Sequence, residues 1–298
     1  MDRSSSRASG SGLNIRDRPH DGIERLRELL DNRRTLVITG AGMSTDSGIP
    51  DYRGPKSPPR TPMTFQQFIG DPDFRRHYWA RNHVGWRHMD AAMPNAGHRA
   101  LAGLERAGSV RAVITQNVDL LHTKAGSRQV IDLHGTYARV ACLSCGRRVS
   151  RYALAERLDR LNPGFAETVA AATSVEIAPD ADAIISSTEH FRMVGCEHCD
   201  GILKPDIVYF GESVPPERVA AAFELVEQCD AVLVAGSSLT VMSGLRFVRR
   251  AAKLAIPIAI VNRGRTRGDE FASLKLDAGC SDVLTALAAP ARTTRSRD

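Results

Sequence analysis

The chain has 298 residues, 42% of them hydrophobic, enough to bury a sizeable core as one large or two modest domains. Its longest apolar runs, at 231–235 and 256–261, fall far short of the roughly 20 residues that cross a bilayer, which argues against a membrane-spanning helix. The net charge of +6 gathers largely in the two tails, and with 5% aromatic residues the sequence lacks the basic, aromatic-interleaved stripe of a nucleic-acid binder.

Residues 1–20 are rich in Ser, Gly and Arg with no apolar stretch, and read as a disordered tail without a secretory signal. Arg3, Arg7, Arg16 and Arg18 recur as in a mitochondrial presequence, but Asp2 and Asp17 interrupt them and no amphipathic period is present. Arginine outnumbers lysine 35 to 5, the skew of a GC-rich genome, so a bacterial cytoplasm is expected rather than a mitochondrial matrix. A helix over 23–31 and a strand over 35–39 then open a nucleotide-binding domain. Leu36, Val37 and Ile38 suit a strand buried on both faces, and Gly40-Ala41-Gly42 lets the backbone approach a phosphate closely. The ordinary dehydrogenase fingerprint would need Gly or Ala at Thr45 and an acidic residue about 20 positions on, where Lys56-Ser57-Pro58-Pro59-Arg60 stands instead.

The domain is left at about residue 54 for a helical insertion over 55–95, with helices around 65–68 and 73–86, and resumes with a helix over 96–107 and strands ending at 114 and 133. A small module follows over 137–203, in which 161–188 is long and irregular. The chain then returns with a segment at 206–210, a helix over 217–228, a strand over 231–235, a helix over 245–255, a strand over 257–261 and a helix near 283–288, before a second disordered tail at 291–298. Strand alternating with helix predicts an α/β fold: a doubly wound, Rossmann-like parallel sheet formed by 21–54, 96–136 and 204–290.

Two groups of residues carry chemistry. Cys142, Cys145, Cys196 and Cys199 form two Cys-x-x-Cys knuckles, and four thiolates match a closed tetrahedral zinc site that leaves no position for substrate. Disulfide pairing is the competing reading, and without a secretory signal nothing places the chain in an oxidising compartment. Cys229 is expected to be buried. The second group follows the strands: Gln116, Asn117 and Asp119 after one, His134 after the next, and Gly236-Ser237-Ser238 after a third, all at carboxyl ends where open α/β sheets bind ligands. His134, beside Gly135, suits a general base because an imidazole takes a proton near neutral pH. His122 lies further into a helix and is expected to pack or cap.

The block from Gly40 to Gly54, Thr115-Gln116-Asn117-Val118-Asp119, Leu133-His134-Gly135 and Gly236-Ser237-Ser238-Leu239 together resemble the sirtuins, the NAD-dependent protein deacylases. Tyr52, the stretch 78–86, the run 121–128 and Arg265-Thr266-Arg267 resemble the class II branch of that family. One departure is Ser243, where many sirtuins carry proline.

The resemblance implies that NAD is consumed as co-substrate while one zinc ion is structural. It implies that the acyl oxygen of an acylated lysine displaces nicotinamide, that His134 then deprotonates a ribose hydroxyl, and that the acyl group ends on ADP-ribose. Gly40, Ala41, Gly42, Ser44, Thr45, Tyr52 and Arg53 would hold the cofactor. Asn117 would position the nicotinamide ribose, with Gln116 bordering it, and Asp51 and Asp119 would read the carboxamide. Gly236, Ser237, Ser238, Asn262, Arg263, Gly264 and Cys280 would hold the rest of the cofactor. Val208, Phe210 and Gly211 would pair with the peptide of an acylated protein, and Tyr78 with Arg81, three apart on a helix, resembles a pair that holds an acidic acyl group in another sirtuin class. The chain is expected to act as a monomer. The alternatives are a mono-ADP-ribosyltransferase and a non-enzymatic zinc-ribbon scaffold or nucleic-acid binder.

Overall fold

The computed structural model describes residues 19–52, 62–172 and 188–290. In chain order the elements are α1 (Pro19–Leu30), β1 (Thr35–Thr39), α2 (Phe65–Gly70), α3 (Pro72–Ala91), α4 (Ala96–Arg106), β2 (Val110–Thr115), α5 (Leu121–Lys124), β3 (Val130–Asp132), β4 (Gly135–Cys142) and β5 (Arg148–Ser150). They continue with α6 (Arg151–Leu161), α7 (Phe165–Ala172), β6 (Leu203–Ile207), α8 (Pro216–Glu227), β7 (Ala231–Ala235), α9 (Met242–Lys253), β8 (Ile258–Val261), β9 (Leu274–Leu276) and α10 (Cys280–Ala288).

Six strands form one sheet in the order β3-β2-β1-β7-β8-β9, every pair parallel. The apolar runs of β1, β7 and β8 are buried at every position because helices cover both faces. Leu36, Ile38, Val232, Val234, Ile258 and Ile260 point to one side, against Ala222 and Val226 of α8 and Phe247 and Val248 of α9. Val37, Leu233, Ala235, Ala259 and Val261 point to the other, against Leu26 of α1, Leu101 of α4 and Leu284 of α10. The strand order reverses between β1 and β7, so the loops after these two strands diverge and open a crevice at their carboxyl ends. The described residues contain no helix long and apolar enough to cross a membrane.

The second sheet is antiparallel, in the order β5-β4-β6, and carries both cysteine knuckles. Here the expectation for 206–210 is corrected. The strand is Leu203–Ile207, and it pairs with β4 rather than entering the parallel sheet. The short edge strand β9 was not expected, since three residues carry too little pattern to be read. Helix α1 begins at Pro19, inside the expected tail, and α7 lies within the stretch expected to be irregular.

The helical insertion packs on the small module rather than standing apart. Phe68, Tyr78 and Trp79 share a core with Val140, Leu154, Leu203 and Ile207. Arg151, at the start of α6, is fully buried between the Trp79 and Trp86 rings, 5.5 and 4.8 Å from their centroids, and donates to the side chain of Asn82. Burial pushes its guanidinium down to about 9, so this cation is held by ring faces and an amide.

The two sheets join at Gly135, which has φ +82° and directly follows His134; a Cβ there would lie 2.0 Å from the Asp206 carbonyl oxygen. Both the left-handed backbone and the collision oppose any side chain. Gly135→Ala is therefore expected to destabilise by at least about 2 kcal/mol, lowering Tm by roughly 4 °C or more in a thermal melt; an unchanged melt would show that this junction tolerates a side chain.

Candidate active site

The crevice is a cavity of about 680 Å³ lined from the ends of β1, β2, β7 and β8 and from the chain after β6. Its tightest point is where two turns touch. Gly42 N donates to the Gly236 carbonyl at 2.9 Å, Gly236 adopts φ +65°, and a Cβ on Gly236 would sit 2.3 Å from Met43 N. A Cβ on Gly40 would sit 2.8 Å from that of Ser237. These glycines leave the backbone bare at the cleft, as close approach of a phosphate requires.

Above this point the side chains form one network. Asn117 Nδ2 donates to the Gly40 carbonyl at 3.1 Å and to Ser44 Oγ at 3.0 Å, and Ser44 in turn donates to Asp119 Oδ2 at 2.6 Å. Leu121 N donates to Asp119 Oδ1 at 2.9 Å, so the carboxylate also fixes the first turn of α5. Burial raises the Asp119 carboxyl above its usual range, against the hydrogen bonds from Ser44 and Leu121 that favour the ionised form. Ser237 Oγ donates to Gln116 Oε1 at 2.6 Å, tying the turn after β7 to the end of β2. Asn262, Arg263 and Gly264 line the far end after β8.

His134 lies in the cleft wall between these groups. Its Nδ1 is 2.8 Å from the Gln116 carbonyl oxygen, which only accepts, so Nδ1 carries the proton and the Nε2 lone pair is the basic one. Ser243 Oγ lies 2.8 Å from Nε2. Burial first, then the nearby Arg218 and Arg246 guanidinia, push the imidazole down to about 4, so it is neutral at pH 7 and ready to accept a proton. The sequence-level expectation of a titration near neutrality is thereby revised by burial.

The sites read from sequence divide accordingly. Gly40, Ala41, Gly42, Ser44, Asp51, Tyr52, Gln116, Asn117, Asp119, His134, Val208, Phe210, Gly211, Gly236, Ser237, Ser238, Asn262, Arg263 and Gly264 all line the one cavity. Arg53 falls outside the described residues. Thr45 turns its hydroxyl to the Gly42 carbonyl at 3.2 Å and is not part of the wall. Cys280 is buried behind the sheet against Val261, with burial pushing its thiol up to about 12. Tyr78 and Arg81 lie apart from the residues that line this cavity. Tyr78 is consumed in the aromatic core with Phe68, Trp79 and Tyr209, Arg81 reaches His77 Nε2 at 3.2 Å, and neither lines the cleft. His122 packs as expected, bonded to Thr39 Oγ1 at 2.9 Å. Residues that sequence reading missed are Ser243, Arg246 and the apolar wall made by Met63, Val118 and Ile207, which no local pattern distinguishes.

The four knuckle cysteines have their sulfur atoms within 4.8 Å of one another, with Cys142–Cys199 at 3.5 Å and Cys145–Cys196 at 3.8 Å. Tetrahedral zinc with Zn–S bonds of about 2.3 Å requires sulfur separations of roughly 3.8 Å, so the cluster fits that ion. No disulfide is formed. Each knuckle is closed alike, by Gly146 N to the Cys142 carbonyl and Asp200 N to the Cys196 carbonyl.

Fold and cleft define a dinucleotide-binding α/β protein with a neutral imidazole base at the switch point and a separate structural zinc module. The Sir2 family model matches residues 40–243, and the chain belongs to that family. It is 67% identical to the NAD-dependent protein deacetylase 1 of Mycobacterium avium over 260 residues, covering 87% of this chain and 92% of that one. It is 51% identical to the NAD-dependent protein deacetylase 1 of Streptomyces coelicolor over 257 residues, covering 85% and 84%. Among solved structures it is similar to a chain described as "Sir2-p53 peptide-NAD+", with a TM-score of 0.69, 30% identity, and coverage of 88% and 95%.

Because thiolate ligation of zinc contributes directly to folding, Cys142→Ala and Cys199→Ala are each expected to lower bound zinc from one ion per chain and to melt the small module at a lower temperature. Elemental analysis of reduced protein alongside circular dichroism checks this. Parent protein that is metal-free yet fully folded would overturn the assignment.

Proposed function

We propose that this chain is an NAD-dependent protein-lysine deacylase in which His134 is the general base. The observation that carries the reading is the fixed Nδ1–H tautomer of His134, which leaves a neutral Nε2 in the cleft beside the Asn117–Ser44–Asp119 network. The deacetylases of both bacterial relatives, and the NAD and peptide named with the similar solved chain, support it. Bacterial relatives also accord with an expected bacterial cytoplasm.

When bound, NAD supplies the glycosidic carbon that loses nicotinamide and the ribose hydroxyl that receives the acyl group. The chain's own contributions are read as follows. Gly40, Ala41 and Gly42 present bare backbone to phosphate, Ser237 and Ser238 offer hydroxyls to ribose and phosphate oxygens, and Asn262, Arg263 and Gly264 hold the adenosine end. Asn117 orients the nicotinamide ribose. Asp119 and Asp51 accept from the carboxamide, and hydrogen bonds of this kind accelerate the reaction when they strengthen toward the transition state. His134 Nε2 takes the hydroxyl proton, and the Gln116 carbonyl, accepting from Nδ1–H, stabilises the imidazolium that results.

The acylated peptide is proposed to lie along Val208, Phe210 and Gly211. Val208 N is already bonded to the His134 carbonyl at 2.8 Å, the Phe210 carbonyl accepts from Phe65 N at 2.9 Å, and Glu212 N closes a turn on the Tyr209 carbonyl at 3.0 Å, so the segment is anchored on both sides. Glu212 Oε2 accepts from Tyr209 N at 2.8 Å and from Lys204 Nζ at 3.0 Å, which locks the end of the segment. The apolar wall of Met63, Val118 and Ile207 fits an uncharged acyl chain.

His134→Ala is expected to reduce kcat for deacylation by about 10²- to 10⁴-fold with the fold and NAD affinity retained, read by nicotinamide release from acyl peptides; activity within a few-fold of parent would defeat the base assignment. The parent's base is competent while neutral, so kcat/KM should hold from neutral pH downward and fall only as pH approaches about 4, where His134 becomes protonated.

A second expectation concerns acyl choice. Because Arg81 lies off the cleft, Arg81→Met should alter kcat/KM for acetyl- and glutaryl-lysine peptides by the same factor. A loss confined to the glutaryl peptide, of roughly 10-fold or more, would restore the acidic-pocket role.

A further inference from the structure

Ser243 stands in the first turn of α9, two residues after the N-cap Val241, whose side chain makes no capping hydrogen bond. The Ser243 hydroxyl points across the cleft to His134, with Oγ 2.8 Å from Nε2. Both residues line the cavity. Since Nδ1–H is committed to the Gln116 carbonyl, the neutral ring accepts at Nε2, and Ser243 must be the donor.

We propose that Ser243 is a positioning residue for the base, holding the His134 ring with Nε2 toward the cleft until the substrate hydroxyl takes that lone pair, and accepting from Nε2–H once the proton has moved. The inference rests on the reading of His134 as general base. A hydroxyl is both donor and acceptor, and this decides what Ser243 does in each state. Before transfer, Ser243 O–H donates to the Nε2 lone pair and keeps the ring from rotating about its side chain. The single Nε2 lone pair takes one donor at a time, so Ser243 O–H gives way to the substrate hydroxyl; once that O–H bond has broken and the Nε2–H bond has formed, the Ser243 hydroxyl presents its oxygen to the new N–H. No proton is gained or lost by serine.

The imidazolium formed in this way is flanked by Arg218 from α8 and Arg246 from α9, both of which oppose its charge. The Gln116 carbonyl and the Ser243 oxygen are the neutral acceptors that offset them, one on each ring nitrogen. A hydrogen bond to a charged group is worth more than one between neutral groups, so loss of the hydroxyl weakens the transition state more than the resting enzyme. Sequence reading marked Ser243 because many sirtuins carry proline there. Proline is tolerated in a helix's first turn, so the position can lose its hydroxyl without losing the helix.

The test uses Ser243→Ala, Ser243→Pro, Ser243→Thr and His134→Ala in the full chain. Nitrogen-15 NMR of histidine-labelled protein without NAD or peptide, with the His134 signals identified by their loss in His134→Ala, reads the contact directly. The Ala and Pro variants should keep the Nδ1–H tautomer but move the Nε2 resonance to that of a nitrogen without a hydrogen-bond donor, and Thr should restore it. In kinetics, kcat for deacylation should fall about tenfold in Ala and Pro and recover in Thr, while KM values and exchange of labelled nicotinamide into NAD, which precedes the proton transfer, stay within about twofold. An Nε2 resonance identical in parent and Ser243→Ala, or parallel losses in exchange and deacylation, overturns the proposal. If His134→Ala is inactive while Ser243→Ala matches parent, the positioning role alone falls. If His134→Ala keeps full deacylation, the base assignment falls and takes this role with it.

Discussion

The turn after β1 and the turn after β7 meet backbone to backbone, and the cleft depends on nothing larger than hydrogen standing between them. Gly42 N reaches the Gly236 carbonyl at 2.9 Å only because Gly236 sits at φ +65° with no Cβ to strike Met43. A left-handed backbone opposes an ordinary residue by about 1–2 kcal/mol even before the collision. From that contact the other strand ends take their places. Ser237 leans back to Gln116 at the end of β2, and Asn117 reaches forward to the Gly40 carbonyl, so three strand ends are cross-tied. Beyond the tie the chains part, as neighbouring loops at a reversal of strand order do, and the cavity opens there.

Within the cavity the protein disfavours charge on its own groups. Burial raises the Asp119 carboxyl and lowers the His134 imidazole, each toward its neutral form. A cleft that penalises charge also strengthens each hydrogen bond inside it, because few water dipoles compete. The same burial therefore makes Ser44, Asn117 and Asp119 a rigid set and keeps Nε2 of His134 free of a resting proton. Perturbed groups gathered in one cleft are characteristic of catalytic sites, and these two follow the adjacent strands β2 and β3 of one sheet.

The parallel sheet was legible in sequence because the apolar runs of β1, β7 and β8 are buried throughout, a pattern that two-sided burial explains, and the residues just past the strands were legible because topology places ligands there. The zinc knuckles were legible because thiol spacing is chemistry in itself. Pairing was not. Nothing in Leu203–Ile207 distinguishes a strand of the parallel sheet from one bound to β4, since register is set by the partner rather than by the strand. The surroundings of Tyr78 and Arg81 were not legible for a related reason. Helical spacing puts them on one face, but whether that face meets the cleft or the core is decided by α2 and the small module, whose Phe68 and Tyr209 rings enclose Tyr78. Ser243 was noticed only as a departure in turn chemistry; its contact with His134 is between residues 109 positions apart and has no local signature.

The distance between metal and chemistry is bridged by two strands. Strand β4 begins at Gly135, immediately after the base, and ends at Cys142, a zinc ligand. Seven residue steps of extended chain at about 3.4 Å each separate those ends by at most roughly 24 Å, yet on one element. The partner strand β6 runs back from the second knuckle to Ile207, and the next residue, Val208, donates to the His134 carbonyl. The Cys142–Cys199 contact thus clamps the far ends of two paired strands whose near ends carry the base and the proposed peptide-binding segment. Without the clamp, each knuckle would be a free turn, and β4 would be paired to β6 by a ladder already interrupted between Gly135 and Val140. A closed metal site that touches no substrate can in this way govern the position of His134, because it fixes the register of the strand that begins at the next residue.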